Sequence, residues 1–191
     1  MKALSHYFEL RVLGNPELTL SEILSHLMQQ IHFALPAYQG RVGIDFPKYG
    51  EKGSLGSIIR LFGNEEHIGS LHASMSQNPQ ILSYAQISPV KDTPTQGGGR
   101  RLTRQNIKSP AQLQRLKKRH EARGTWTEAL ENGITAKYST PHLKPHVRLQ
   151  SSSRGGSFPL AINCSLVQAP TEGLFSSYGL SLGEAAVPVF S

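Results

Sequence analysis

The order of strand-like and helix-like segments in the first ninety residues constrains the fold more than any other feature of the chain. His6 to Val12 alternates, with Phe8, Leu10 and Val12 on one face and Tyr7, Glu9 and Arg11 on the other, which predicts a strand buried on one side. Asn15-Pro16 breaks it. From Leu20 the apolar positions fall at Leu20, Ile23, Leu24, Leu27, Met28, Ile31, Ala34 and Leu35, the spacing of an amphipathic helix. Thr19 and Glu22 form a capping box at its start, and Pro36 ends it. Arg41 to Phe46 and Ser57 to Phe62 read as two further strands, joined by a loop carrying Pro47, Gly50 and Gly53. Asn64 caps a second helix with Ile68, Leu71 and Met75 on its face, and Ile81 to Val90 reads as a fourth strand.

This βαββαβ order is that of a ferredoxin-like (RRM-type) sandwich, a four-stranded antiparallel sheet with two helices on one side. The expectation is therefore an α+β protein with a ferredoxin-like domain over 1–90, a Gly/Arg-rich linker over 91–108 and a smaller C-terminal α/β domain over 109–191. Gly97 to Gly99 followed by Arg100 and Arg101 disfavour a regular element and predict a flexible connection with charge for phosphates. Ser109 as cap and Pro110 at the first helical position start a basic helix over 110–123. Beyond it, a short helix is expected around Trp126 to Leu130 and a turn at Pro141 to Pro145. Val147 to Leu149, Phe158 to Val167 and the C-terminal segment read as strands.

Charge divides the chain the same way. Residues 1–99 hold 7 Lys+Arg against 8 Asp+Glu, a net of −1, whereas residues 100–191 hold 13 against 5, a net of +8. A basic half joined to a near-neutral one is the footprint of a polyanion binder, because each neutralised phosphate releases counterions. A solvated basic surface is the alternative reading. The single cysteine, Cys164, allows neither an internal disulfide nor a Cys-based zinc cage and fits a reducing cytoplasm. No apolar run reaches membrane-spanning length, and MKALSHYFEL lacks the continuous apolar stretch of a signal peptide, so a cytoplasmic protein without a membrane partner is expected.

On the basic helix Arg115 and Arg119 lie four residues apart on one face, Lys118 follows Arg115 by three, and Lys117, His120 and Arg123 widen the surface. Leu113 and Leu116 form a separate apolar edge that can dock the helix. Side chains read the deep major groove of A-form RNA poorly, but an arginine-rich helix can enter it where a hairpin ends. The planar fork of arginine bridges phosphate oxygens or the O6/N7 edge of guanine. A solvated charged helix is the competing explanation. His142 and His146 have a four-residue separation seen in some zinc sites, but Pro141 and Pro145 disfavour the helix that would aim both at one ion. No metal site and no cofactor is expected.

Four segments, IHFALPAYQGRVGIDFPKYG (31–50), RQNIKSPAQLQRLKKRH (104–120), RLQSSSRGGSF (148–158) and LFSSYGLS (174–181), occur in that order. Together they resemble the Csy-type, subtype I-F CRISPR repeat-processing endoribonucleases, over essentially the whole chain. That resemblance implies a ferredoxin-like domain followed by one bearing an arginine-rich helix. It also implies a metal-independent endoribonuclease that cuts the repeat hairpin of precursor crRNA and stays bound to the 3′ hairpin. His32, in a His-x-Ala-Leu setting, matches the family's active histidine. Ser151 matches its active-site serine with Ser153 in support, and Tyr178, in Tyr-Gly-Leu-Ser, matches its assisting tyrosine. Phe158 corresponds to the aromatic under the terminal base pair of the hairpin. Arg104, Gln105 and Asn106 correspond to the linker residues that read bases near the foot of the stem, with Gln105 the better chemical match and Arg104 with Asn106 the better spacing. Arg115, Lys118, Arg119 and Arg123 correspond to the groove-binding helix, although Gln112, Gln114 and lysines replace some of the family's arginines. The implied partners are the CRISPR repeat hairpin and the other subunits of a type I-F Cascade complex.

The chemistry suits these residues. Attack of a ribose 2′-hydroxyl on the adjacent phosphate needs a base and an in-line geometry but no metal, and imidazole, with an ordinary pKa of about 6.5, titrates near cellular pH. Two other functions compete: a non-catalytic or single-turnover subunit that caps the crRNA hairpin in Cascade, including a transposon-encoded one, and a generic RRM-like RNA binder. The latter is weakened because the strands at Phe8 to Val12 and from Arg41 lack the stacked-aromatic pattern of that class.

Overall fold

Alternating apolar residues extend His6–Val12 as strand β1, and the chain then turns into helix α1, Leu20–Ala34. The capping box forms as its residue types dictate: Glu22 N donates to Thr19 Oγ1 at 3.3 Å and Thr19 N to Glu22 Oε2 at 2.8 Å. Ile23, Leu24, Leu27, Met28 and Ile31 are buried. At Leu35–Tyr38 the helix tightens into a 3₁₀ turn that accepts Pro36 near its start. Strands β2 (Gly43–Asp45) and β3 (Ile58–Gly63) follow, then α2 (Glu65–Ser76), whose Asn64 cap accepts from His67 N at 2.8 Å and whose buried face is Ile68, Leu71 and Met75. The computed structural model describes residues 4–105, 110–138, 144–151 and 155–190.

The expected fourth strand over Ile81 to Val90 is shorter. Asn78 caps a single helical turn, α3 (Pro79–Leu82), with Pro79 in its first turn, and only Ala85–Ile87 forms β4. Ile81 is buried from that helix and not from a strand. The antiparallel order is β2-β3-β1-β4, and β5 (Lys91–Asp92) adds beside His6 and Tyr7 of β1.

A second correction concerns the glycine-rich stretch. Gly99–Gln105 is strand β6, paired along its length with β8 (Ser157–Val167) and at its start with β9 (Val187–Pro188). Its glycines serve close approach: a Cβ on Gly99 would collide with the Ala169 carbonyl, and one on Gly97 with the Val189 carbonyl. Its first two arginines serve the fold, since Arg100 pairs with buried Asp45 at 2.9 Å and donates to the Phe46 carbonyl, while Arg101 pairs with Glu184. Between β6 and β8 lie helices α4 (Pro110–Ala122) and α5 (Glu128–Tyr138), the latter longer than expected, and strand β7 (His146–Gln150). The second antiparallel sheet runs β7-β8-β6-β9. Leu102, Val147, Leu149, Leu160, Ile162 and Leu180 of this half join the buried cluster of α1, α2 and the first sheet.

Strand β1 is buried on both faces, against the one-sided expectation. Tyr7 and Glu9 are covered because the C-terminal segment crosses the second face of the sheet, where Tyr7, Phe62, Phe175, Ala185 and Val187 form a second apolar cluster with Phe190 packed on it. Glu9 survives burial through charge. Arg60 donates to its Oε1 from Nε at 2.9 Å and Nη2 at 2.7 Å, and Arg11 Nη2 reaches Oε2 at 2.9 Å. Arg60 also donates to the Phe190 carbonyl, with its guanidinium 4.0 Å from the centre of that ring. Burial pushes the Glu9 carboxyl up, but the hydrogen bonds and charges of Arg60 and Arg11 outweigh it and hold it below its ordinary 4.5. For Asp45 burial wins over Arg100 and raises the carboxyl above 3.8.

Arg60→Met leaves Glu9 with Arg11 alone and is expected to cost about 3 kcal/mol in denaturant unfolding at neutral pH. The stabilisation from Glu9 is complete above pH 4.5 and is lost as pH falls through its lowered folded value, whereas Asp45 acts in the opposite sense because protonation favours its buried form. The variant should therefore lose less stability than the parent on acidification below pH 4.5, measured by unfolding curves at stepped pH. No helix among the described residues is long and apolar enough to cross a membrane.

Candidate active site

Strand β7 is an edge strand, so its outward N–H groups need partners from elsewhere. Helix α1 supplies them: Arg148 N donates to Ser25 Oγ at 3.0 Å and Gln150 N to Gln29 Oε1 at 2.8 Å. Four helical residues rise about 6 Å and two strand residues about 6.6 Å, so the pairing keeps step along both elements. One turn past Gln29 stands His32, and one residue past Gln150 stands Ser151. His32 and Ser151, more than a hundred positions apart in sequence, thereby follow the last of these paired residues on the helix and on the strand.

The His32 ring is fixed on two sides. Its Nδ1 lies 3.0 Å from the Ser177 carbonyl, and because a carbonyl only accepts, Nδ1 carries the proton. In the neutral ring Nε2 is then left with a lone pair, the state a general base requires. The Tyr178 ring stacks on the imidazole, with centroids 4.3 Å apart and planes inclined by 19°. Its segment is held by a turn in which Gly179 N donates to the Ser176 carbonyl at 2.8 Å, while Ile44 N of β2 donates to the Gly179 carbonyl at 2.9 Å. Gly179 has φ +72° and its α-carbon faces Ile44 so closely that a Cβ would lie 2.9 Å from the Ile44 Cβ, which is why glycine stands there.

Ser151 opens the β7–β8 turn, its N–H donating to the Gly156 carbonyl at 2.9 Å. Phe158 faces Leu149 across that hairpin, and Arg104 of β6 places its guanidinium carbon 5.4 Å from the centre of the Phe158 ring. Gln105 ends β6 beside Ala161 of β8, and its side-chain oxygen is enclosed without a hydrogen-bond partner among the described residues. Asn106, Ser153 and His142 lie outside the described residues. Cys164 offers no competing nucleophile, since burial pushes its thiol up, away from the thiolate form.

Helix α4 presents Arg115, Lys118 and Arg119 exposed, as is Arg123 just past its end. From 113 to 135 no side chain of the α4–α5 pair is buried; Leu113 and Leu116 are half-covered only. Lys117 is engaged within the helix pair, its Nζ 3.1 Å from Glu131 and 5.1 Å from the centre of the Trp126 ring, and Trp126 Nε1 also donates to Glu131. The free cationic surface is therefore the Arg115, Lys118, Arg119 and Arg123 side.

Sequence reasoning missed Ser25, Gln29 and Ser177. The first two carried a signal, since polar residues at i and i+4 beside an apolar stripe, in line with Phe33 and next to His32, mark a second contact edge. The Ser177 contact is made by backbone and left none.

The chain is similar to known proteins along nearly its whole length. The family described as CRISPR-associated protein (Cas_Csy4) matches residues 7–190. The CRISPR-associated endonuclease Cas6/Csy4 of Escherichia coli (strain UTI89 / UPEC) is 34% identical over 191 residues, spanning 98% of this chain and 100% of the relative. The protein of the same name from Pseudomonas aeruginosa (strain UCBPP-PA14) is 30% identical over 190 residues, spanning 94% and 97%. A match of this extent, covering both sheets and every described site residue, means that the chain belongs to the Cas_Csy4 family of CRISPR-associated proteins.

Proposed function

We propose that this protein is a crRNA-processing endoribonuclease of the subtype I-F kind that cleaves the repeat hairpin without a metal and keeps the hairpin as part of a Cascade complex. The observation that carries the reading is the His32 ring, proton on Nδ1 toward Ser177, stacked by Tyr178, at the end of the α1–β7 contact that leads to Ser151. His32 Nε2 takes the proton of the ribose 2′-hydroxyl. The 2′-oxygen forms a bond to phosphorus, the bond from phosphorus to the 5′-oxygen breaks, and water protonates the leaving 5′-oxygen. The products are a 2′,3′-cyclic phosphate and a 5′-hydroxyl. Ser151 holds the attacking ribose, and Tyr178 orients His32 through its ring face.

On this reading residues 1–90 form a ferredoxin-like domain, a description supported by the β2-β3-β1-β4 order and the two intervening helices. The Gly/Arg-rich stretch 91–108 leads to an RNA-binding part over 109–191. Arg104, Gln105 and Asn106 read bases at the foot of the stem, Phe158 stacks under its terminal pair, Ser153 supports Ser151, and Arg115, Lys118, Arg119 and Arg123 line the groove. An RRM-type mode of binding across the open sheet is disfavoured, because the C-terminal segment covers that face at Tyr7, Phe62 and Phe175.

Cleavage of repeat RNA should persist in EDTA and yield a 2′,3′-cyclic phosphate, identified by mass. A substrate with a 2′-deoxy sugar immediately 5′ of the scissile phosphate should bind as tightly and stay intact. Cutting of that substrate would exclude the proposed nucleophile; binding without cutting of the all-ribose RNA would favour the hairpin-capping role.

A further inference from the structure

We propose that Phe33 is a stacking platform for the unpaired nucleobase immediately 3′ of the scissile phosphate, the first nucleotide of the strand that leaves. This rests on the reading of His32 as general base. Phe33 does not serve the core: it lies off the apolar face of α1 and is 60% exposed, whereas Ile23, Leu24, Leu27, Met28 and Ile31 of that face are buried. Its ring stands 6.0 Å from that of His32, inclined by 34°. Tyr178 stacks on the imidazole, so His32 is flanked by two aromatic rings, of which the Phe33 ring is exposed.

The reaction supplies the occupant. In-line displacement requires the 2′-oxygen, phosphorus and 5′-oxygen to lie nearly on a line, which a stacked A-form strand does not provide, so one of the two flanking bases must leave the stack. On the proposed reading the base 5′ of the cut belongs to the foot of the stem, held on Phe158 and kept in the product. The base 3′ of the cut is therefore the one that swings away, and an exposed phenyl ring beside the general base gives it a face to rest on. Every base has a π-face and phenylalanine offers no hydrogen bond, so the platform fits purines and pyrimidines alike, larger rings better.

The geometry predicts a signature that separates substrate from product. Phe33→Ala should weaken binding of the uncleavable 2′-deoxy precursor roughly 5- to 150-fold. Affinity for the product hairpin, which ends at the cut, should not change. Removing the base 3′ of the cut from the precursor should erase the difference between Phe33→Ala and the parent, and Phe33→Trp should bind the intact precursor at least as tightly as the parent. The thermal unfolding temperature of Phe33→Ala should match that of the parent, since the ring it removes is exposed. Equal precursor affinity in parent and Phe33→Ala overturns the proposal, as does an equal loss on product, or weakened association with a Cascade protein subunit in place of weakened RNA binding. Failure of the underlying reading looks different, since His32→Ala would then cleave at the parental rate whatever Phe33 does.

Discussion

His32→Ala is expected to slow single-turnover cleavage of the cognate hairpin by about 10²- to 10⁴-fold, the range lost when a positioned general base is removed. Hairpin affinity should stay within about twofold, because a base that acts on a developing alkoxide contributes to the transition state and little to the ground state. The structure sharpens this expectation. The Ser177 carbonyl holds Nδ1 as the protonated nitrogen, so a substitute must offer a free acceptor where Nε2 stands. His32→Gln can place an amide there but cannot take up a proton, and should be about as slow as alanine. Added imidazole should restore part of the rate in the alanine variant, where a space opens under the Tyr178 ring, and not in His32→Gln, where the amide fills it. Quench-flow rates with saturating enzyme, beside equilibrium binding of the 2′-deoxy hairpin, separate the two quantities. Parental cleavage by His32→Ala would remove the histidine from the mechanism.

The parts of this site that sequence made legible are those written locally. Helix α1 was readable from Thr19, Glu22 and the apolar spacing, and its ends follow from a cap and Pro36. His32 is a candidate only through its family setting, because a histidine on a helix edge has no local property that distinguishes catalysis from structure. What escaped was long-range. The hydrogen bonds from β7 to Ser25 and Gln29 join residues 123 and 121 positions apart, and periodicity within either element holds no trace of them. Gly97 to Gly99 misled for a related reason: glycine marks both flexible chain and close backbone approach, and only the carbonyls of Ala169 and Val189 decide between these. Asn78-Pro79 is a legible helix start, but Ile81 and Ile87 suit a strand equally well. Burial of Glu9 was illegible until Arg60 and the C-terminal Phe190 were brought to it by the fold.

Affinity and chemistry should separate at helix α4. Arg115 and Arg119 are exposed on a helix with no buried described side chain, and among the described residues they form no ion pair of the kind Lys117 makes with Glu131 or Arg100 with Asp45. Their charge is thus available to a ligand, and a helix that stands on the surface by half-covered contacts can lie along a groove without disturbing the core. Replacing both with alanine should weaken hairpin binding on the order of 10²-fold or more, since contacts of this kind contribute roughly five- to 150-fold each. Salt distinguishes what they touch. If both meet phosphates, the loss appears for any hairpin and the slope of log affinity against log salt falls by about one for each arginine. If they meet guanine edges, a scrambled stem of equal length loses little and the cognate stem loses most. Saturating RNA should then restore most of the single-turnover rate, because the described partners of the His32 ring are the Ser177 carbonyl and the Tyr178 ring, and neither lies on α4. Binding titrations of cognate and scrambled hairpins at two salt concentrations measure the affinity, its salt slope and its dependence on the stem, single-turnover assays measure the rate, and unchanged affinity in the double variant would return this helix to a solvated basic surface.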